Sequence, residues 1–398
     1  MSRPRTASTA LLRVRPVPKG TPMSQQDFSS IEAGSTEATG RRQIRFNAFD
    51  MNCVGHQSPG LWRHPEDRSA NYTDLSYWAH LARTCEKGLF DGIFIADVLG
   101  TYDVYGNSNE ATLRQGTQVP VNDPLLLVSA MALVTEHLGF GVTAGTAYEH
   151  PYPFARRLST LDHLTKGRVG WNVVTGYLPS AARNMGAADQ LEHDERYNHA
   201  DEYLEVIYKL LEGSWEDDAV VRDRETGVFT DPTKVHDINH EGKYFTVPGI
   251  HISEPSPQRT PVIYQAGASP RGVAFAAGNA EAVFVGASTI GKLKATVSRI
   301  RDAAEAAGRD RHSIRIYTLL TIITAATAEE AEACFSASAC KIWDSLSACA
   351  RRILDSFSPS ATRIADFFSP SACKIFSRRS RSAFICFSIA SRIACGGR

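Results

Sequence analysis

Asn172 sits inside an apolar run: the stretch DHLTKGRVGWNVVTG, residues 162 to 176, ends a polar helix, turns at Lys166 and Gly167, and continues through Val169, Trp171, Val173 and Val174 as a strand. A buried amide costs about 1–3 kcal/mol unless something hydrogen-bonds it, so a neighbouring strand or a ligand must answer this side chain. A second stretch, QAGASPRG at 265–272, combines Gly267 for backbone freedom, Ser269 as a helix cap, Pro270 at the first helical position and the cation of Arg271. Together these make a seat for a phosphate group. In EHDERYNHADEYLEVIYKLLEGSWEDDA, 192–219, His193 and Tyr197 are four apart, so both fall on one face of the first turn of a long helix and can reach one ligand. Cys53 and His56 form a C-x-x-H pair, half of a metal site at most, and no second pair stands at finger spacing, so no metal is assigned.

Apolar runs of strand length must position these groups. They fall at Arg45–Phe49, Asp91–Asp97, Leu138–Thr143, Val169–Thr175, Pro261–Ala266, Ala282–Val285 and Ile314–Ile323. Between them lie amphipathic helical patterns such as Leu75, Trp78, Leu81, Cys85 and Leu204, Ile207, Leu211. Strand and helix alternation implies the α/β class, a parallel sheet covered by helices. Seven strands match the beat of a (β/α)8 TIM barrel with insertions, incomplete by one strand at the C-terminal end; a doubly wound sheet is the alternative. An insertion over about 214–259, rich in turn residues, lies over one barrel end. In a barrel the working face is the one at the strand C-terminal ends, where Asp97, Thr143, Asn172 and Ser269 all fall. Neither a G-x-G-x-x-G nor a P-loop accompanies the phosphate seat. A phosphate held late in a barrel points instead to a mononucleotide cofactor such as FMN.

Composition bounds the partners. The 398 residues carry 43 Lys and Arg against 43 Asp and Glu, which leaves no electrostatic footprint for nucleic acid, and no apolar run is long enough to span a membrane. A small-molecule task is expected. Cys53 and Cys85 stand alone in the first 333 residues, as in a reducing, cytoplasmic compartment. Three regions follow. Residues 1–40 are basic, Ser- and Thr-containing and aperiodic, a disordered extension that is either a transit peptide or an overlong start ahead of Met23. Residues 41–333 carry the barrel pattern. Residues 334–398 are Ser- and Cys-rich and basic, lack Val and Tyr, and repeat SAC and SPSA units, as a shifted reading frame or gene-model artefact would.

The stretches FNAFDMNCVGHQSPGLWRHPEDRS, GLFDGIFIADVLGTYDVYG, YEHPYPFARRLSTLDHLTKGRVGWNVVTGYLPSAARNMG and HDERYNHADEYLEVIYKLLEGSWEDDAVV resemble the bacterial-luciferase-like flavin monooxygenases. The resemblance covers about 44–325. It is strongest to the branch of nitrilotriacetate, dibenzothiophene sulfone, dimethyl sulfide and long-chain alkane monooxygenases, and most of all to the alkane enzyme. It implies a homodimeric (β/α)8 barrel that takes reduced FMN (FMNH2) from a separate NAD(P)H:flavin reductase and uses O2 to oxygenate a small organic substrate. Long-chain alkane-like compounds come first, with dimethyl sulfide, other organosulfur compounds or aminopolycarboxylates as alternatives. Carried over by position, the flavin contacts fall on Asp97, Thr143, Asn172, Gly176, His193, Tyr197 and Ser269, with only backbone to offer at Gly176. The pocket falls on Cys53, His56, Tyr102 and Gln118; His56 is expected to hydrogen-bond substrate and Cys53 to shape the cavity. Tyr177 stands where the alkane enzyme has His, which weakens an alkane assignment. Two other readings stay open: a deazaflavin hydride-transfer enzyme, and a non-catalytic chain left unclosed by its tail.

Overall fold

The computed structural model describes residues 44–56, 61–63, 65–287 and 289–319, together with Thr327 and Glu329. The expectations for 1–40 and 334–398, and the end of the last predicted strand, lie outside the described residues. In chain order the elements are β1 Asn47–Met51, α1 Leu75–Lys87, β2 Gly92–Ala96, α2 Glu110–Gln115, α3 Leu125–Leu133, β3 Gly139–Gly145, α4 Pro151–Thr165, β4 Val169–Val174, α5 Pro179–Asn184 and α6 His193–Tyr208. Two short hairpins follow, β5 Val220–Asp223 with β6 Val228–Thr230 and β7 His240–Glu241 with β8 Thr246–Val247. The regular alternation then resumes with β9 Val262–Gln265, α7 Pro270–Asn279, β10 Ala282–Val285, α8 Ile290–Ala306 and β11 Arg315–Thr318.

Seven strands form one parallel sheet in the order β1-β2-β3-β4-β9-β10-β11. Neighbours follow chain order throughout, so there is no reversal point of the kind a doubly wound sheet requires. The sheet curls. Phe94 on β2 packs at 5.7 Å from Tyr264 on β9 and 4.3 Å from Phe284 on β10, between ring centres. Those strands are three and four positions away, roughly 14 and 19 Å in a flat sheet, so the sheet is strongly curled, as in part of a barrel.

The two sides of each strand differ as that curvature demands. On β4, Val169, Trp171 and Val173 face outward into the hydrophobic core beneath the helices, together with Phe140, Val142 and Ala144 of β3. Gly170 and Asn172 therefore face inward. A Cβ at Gly170 would stand 2.6 Å from the Tyr264 ring, and one at Gly141 would stand 2.9 Å from Phe94, so glycines make room for an aromatic layer at the barrel centre. The apparent break in the apolar run is thus ordinary strand alternation, with the helix layer reading one side and the barrel lumen the other.

Helix ends follow their chemistry. Lys166 and Gly167, both at positive φ, end α4 and turn the chain into β4. The helical pattern is buried as expected, with Leu204 and Ile207 of α6 and Leu211 just beyond it all inside. In α1 Trp78 and Cys85 are buried, while Leu75, the first residue after the Asp74 cap, is exposed. The insertion runs along the helix flank to the end opposite the working rim. Gln258 hydrogen-bonds Asp162 at the foot of α4 and the Val169 carbonyl at the start of β4, and the N–H groups of Lys243, Tyr244 and Phe245 converge on the Glu202 carboxylate of α6. No helix among the described residues is long and apolar enough to cross a membrane.

Candidate active site at the C-terminal rim of the barrel

Strand pairing places Thr143 directly beside Asn172. The Asn172 amide nitrogen donates to the Thr143 hydroxyl at 2.9 Å, in a site where both residues are buried. The Asn172 carbonyl oxygen is buried with no hydrogen-bond partner among the described residues. The protein answers half of this amide. The other half is an acceptor waiting for a donor, and leaving it so costs about 1–3 kcal/mol.

Asp97 directly follows β2 on the same rim. Burial pushes its carboxyl up to about 6, the nearby Asp123 charge adds to the rise, and the Val98 N–H opposes it. Gly176 follows β4 with φ +71°, a left-handed turn that favours glycine. Its carbonyl accepts from the Arg196 guanidinium.

The turn and helix start expected to seat a phosphate are in place as local structure. Ser269 caps α7, its hydroxyl accepting from the Gly272 N–H at 3.0 Å, and Pro270 occupies the first turn. Tyr197 is buried, and Gln265 donates to its hydroxyl at 3.5 Å. A Cβ at Gly267 would stand 2.6 Å from that hydroxyl, and one at Gly272 2.7 Å, so both glycines are needed for Tyr197 to reach the helix start. The His193 ring lies tilted beside Tyr197, ring centres 5.2 Å apart, and bonds Asp194 at 2.6 Å. Arg271 is engaged by the protein: it pairs with Asp201 on α6 and lies 5.4 Å over the Tyr197 ring.

The four pocket residues come together across three loops. Tyr102 donates to the Gln118 amide oxygen at 2.9 Å, and the Gln118 amide nitrogen donates to the His56 carbonyl at 3.2 Å. Tyr177, half-exposed after β4, bonds the Tyr102 hydroxyl. The His56 ring packs on Phe49 at 4.5 Å, and burial lowers its pKa to about 4. Cys53 is buried and pairs with Val121 in a β-bridge; burial pushes its thiol up to about 11. At neutral pH the imidazole is uncharged and the thiol protonated. This cluster therefore holds no thiolate nucleophile and no charged imidazole.

Two polar residues escaped the sequence reading. Gln265 ends β9 in the run PVIYQ, is buried, and receives the Gly267 N–H at 2.7 Å, which fixes the turn ahead of Ser269. The signal that marked Asn172, a polar residue closing an apolar strand, marks it too. Asn52 is buried after β1 and donates to the Asp123 carbonyl at 3.1 Å; it follows the strand end and carries no such signal. A cavity of about 290 Å³ opens beside Gly176, lined in part by Tyr148, Thr175, Gln190, Arg196 and His199. None of the eleven expected site residues lines it. Asn172 and the Ser269 helix start stand out by burial and hydrogen bonding, not by this cavity. Among the described residues no group of three His, Cys, Asp or Glu side chains is placed to hold a metal ion.

The sequence model of the family described as luciferase-like monooxygenase matches residues 54–363. The dimethyl-sulfide monooxygenase of Hyphomicrobium sulfonivorans is 62% identical over 293 residues, 74% of this chain and 61% of that protein. The long-chain alkane monooxygenase of Geobacillus thermodenitrificans is 60% identical over 290 residues, 73% of this chain and 66% of that protein. The chain thus spans a little under two thirds of the length of these relatives. Crystal structures of a long-chain alkane monooxygenase and of the Hyphomicrobium enzyme superpose with TM-scores of 0.73 and 0.72, each over 75% of this chain and over 69% and 64% of theirs. A riboflavin lyase solved with modified FMN and riboflavin is 40% identical, TM-score 0.71, over 75% of this chain and 66% of its own. The curled parallel sheet, the rim that carries the polar residues and these identities agree: the chain belongs to the luciferase-like monooxygenase family.

Proposed function

We propose that this protein is a flavin-dependent monooxygenase that takes reduced FMN from a separate NAD(P)H:flavin reductase and uses O2 to oxygenate a small, uncharged organic substrate. The observation that carries the reading is the buried, unanswered carbonyl oxygen of Asn172 beside Thr143, on the rim that also bears the capped phosphate seat. The residues fit a flavin mononucleotide. Asn172, Thr143 and Asp97 would face its ring, with the Gly176 backbone alongside. Ser269, Tyr197 and His193 would hold its phosphate at the start of α7. Support also comes from the riboflavin lyase neighbour, which was solved with modified FMN.

When bound, reduced FMN supplies the electrons that activate O2. The chain's own part is positional. Asn172 answers a donor on the ring, Thr143 fixes the orientation of that amide, and the Tyr102–Gln118–His56 loops wall the pocket against water. The neutral His56 imidazole offers a hydrogen bond without a charge. Sulfide and alkane both suit such a pocket, and the relatives that oxidise them stand at nearly equal identity. A homodimer working in the cytoplasm completes the reading.

The test is oxygenation of dimethyl sulfide and of hexadecane by the purified chain with FMN, NADH and O2, with and without an added flavin reductase, the products followed by gas chromatography. Turnover of one substrate that depends on the reductase is expected. Equal turnover without reductase, or none of either substrate by FMN-loaded protein, would overturn the proposal.

A further inference from the structure

The hydrogen bonds that join Tyr177, Tyr102, Gln118 and His56 have a direction, and simple valence fixes it. The chain is anchored at the His56 backbone carbonyl, which can only accept. The Gln118 amide nitrogen must be the group that faces it, so the Gln118 amide oxygen faces Tyr102. An amide oxygen also only accepts, so Tyr102 spends its one hydroxyl proton on Gln118. The Tyr102 oxygen then has only lone pairs to offer Tyr177. Tyr177 must therefore donate to Tyr102, and its own proton is spent as well. Both phenol protons point along the chain toward the His56 carbonyl.

The backbone holds this arrangement in place. Gln118 sits at φ +54°, a left-handed conformation that is uncommon for a residue with a side chain, and the anchoring carbonyl belongs to the loop that carries Cys53 and His56. Tyr177 follows the left-handed turn at Gly176 and is 57% exposed, so it is the solvent-facing end of this hydrogen-bonded chain.

We propose that Gln118, through Tyr102 and Tyr177, sets the hydrogen-bond polarity of the pocket mouth, making it an acceptor surface that admits apolar or proton-donating substrates and disfavours carboxylates, sulfinates and other acceptor-only groups. This rests on the monooxygenase reading and narrows its substrate class: an aminopolycarboxylate is disfavoured, and a neutral sulfide or alkane is retained. Gln118 and Tyr102 act here as positioning residues for the Tyr177 hydroxyl.

The probes are 2-octanol and 2-octanone, neutral molecules of one length that differ in a single donor proton. Each is titrated calorimetrically into the full chain, as wild type, Gln118→Met and Tyr177→Phe, with circular dichroism to confirm folding. Wild type is expected to bind the alcohol about tenfold tighter than the ketone, the usual effect of one unpaired polar group. In Gln118→Met the Tyr102 proton is released, Tyr177 can turn its own proton to the mouth, and ketone binding should tighten until the two probes are within about twofold. In Tyr177→Phe the ratio should fall for the opposite reason, the alcohol weakening while the ketone stays unchanged. An unchanged ratio in Gln118→Met, a wild type that prefers the ketone, or no binding of either probe at millimolar concentration would overturn the proposal. FMN binding, read separately by flavin fluorescence, distinguishes the two claims. A polarity switch in protein that fails to bind FMN would sink the monooxygenase reading and leave the polarity assignment standing.

Discussion

Asn172 and Asp97 show what single residues reveal. The amide stood out because it interrupts an apolar run, yet the structure shows that the run itself alternates, so the informative feature is the half-satisfied amide and not the break. Thr143 as its partner was not visible from either residue alone, because cross-strand register is set by a sheet that brings together positions 29 apart in the chain. Asp97 carries a pH dependence. Folded, its carboxyl keeps a proton to about pH 6; unfolded, it loses the proton near about pH 3.9. The group's contribution to stability is therefore full below about pH 4 and is lost as pH rises through 6. Asp50, pushed to about 7 by burial with Asp67 adding to the rise and the Met51 N–H opposing it, extends the loss upward. Asp97→Asn is expected to gain roughly 1–2 kcal/mol over wild type at pH 8 relative to pH 4. Urea denaturation at both pH values checks this, and a difference that is the same at both would contradict it.

Strand and helix positions were legible because their physics is local. Each of the seven strands of the parallel sheet begins within two residues of its expected place, and Ser269 caps α7 where the motif put it. The curling of the sheet was less legible. It depends on small residues facing large ones across the lumen, Gly141 and Gly170 against Phe94 and Tyr264, and no window of sequence contains that pairing. Gly170→Ala should accordingly destabilise the fold by about 1–3 kcal/mol through overpacking against the Tyr264 ring; a melting temperature equal to wild type would show that the aromatic layer yields. At α7 the cap and the ligand role separate cleanly. Ser269→Gly should cost only a few tenths of a kcal/mol in stability, since glycine is a tolerated cap, while FMN affinity falls several-fold. Equal FMN affinity in a folded Ser269→Gly protein would reduce Ser269 to a cap.

At the scale of the whole molecule, the described sheet has two ends, β1 and β11, with no strand paired to their outer edges among the described residues. Even so, Phe49, Phe94, Tyr264, Phe284 and Tyr317 form one continuous chain of ring contacts across the inner face of the sheet. We propose that residues 41–333 form the unit that carries the site, and that its chemistry is borrowed from a flavin held at one rim. Balanced charge and a neutral pocket are consistent with a substrate recruited by apolar contact and not by electrostatic steering. The most direct test of this account is a flavin-fluorescence titration of FMN into the full chain and into its Asn172→Leu variant. Wild type should bind FMN saturably, and the variant, folded but unable to answer the flavin, should bind about tenfold or more weakly. Equal affinity in the two proteins would make Asn172 a structural amide and contradict the assignment of the rim as the flavin site.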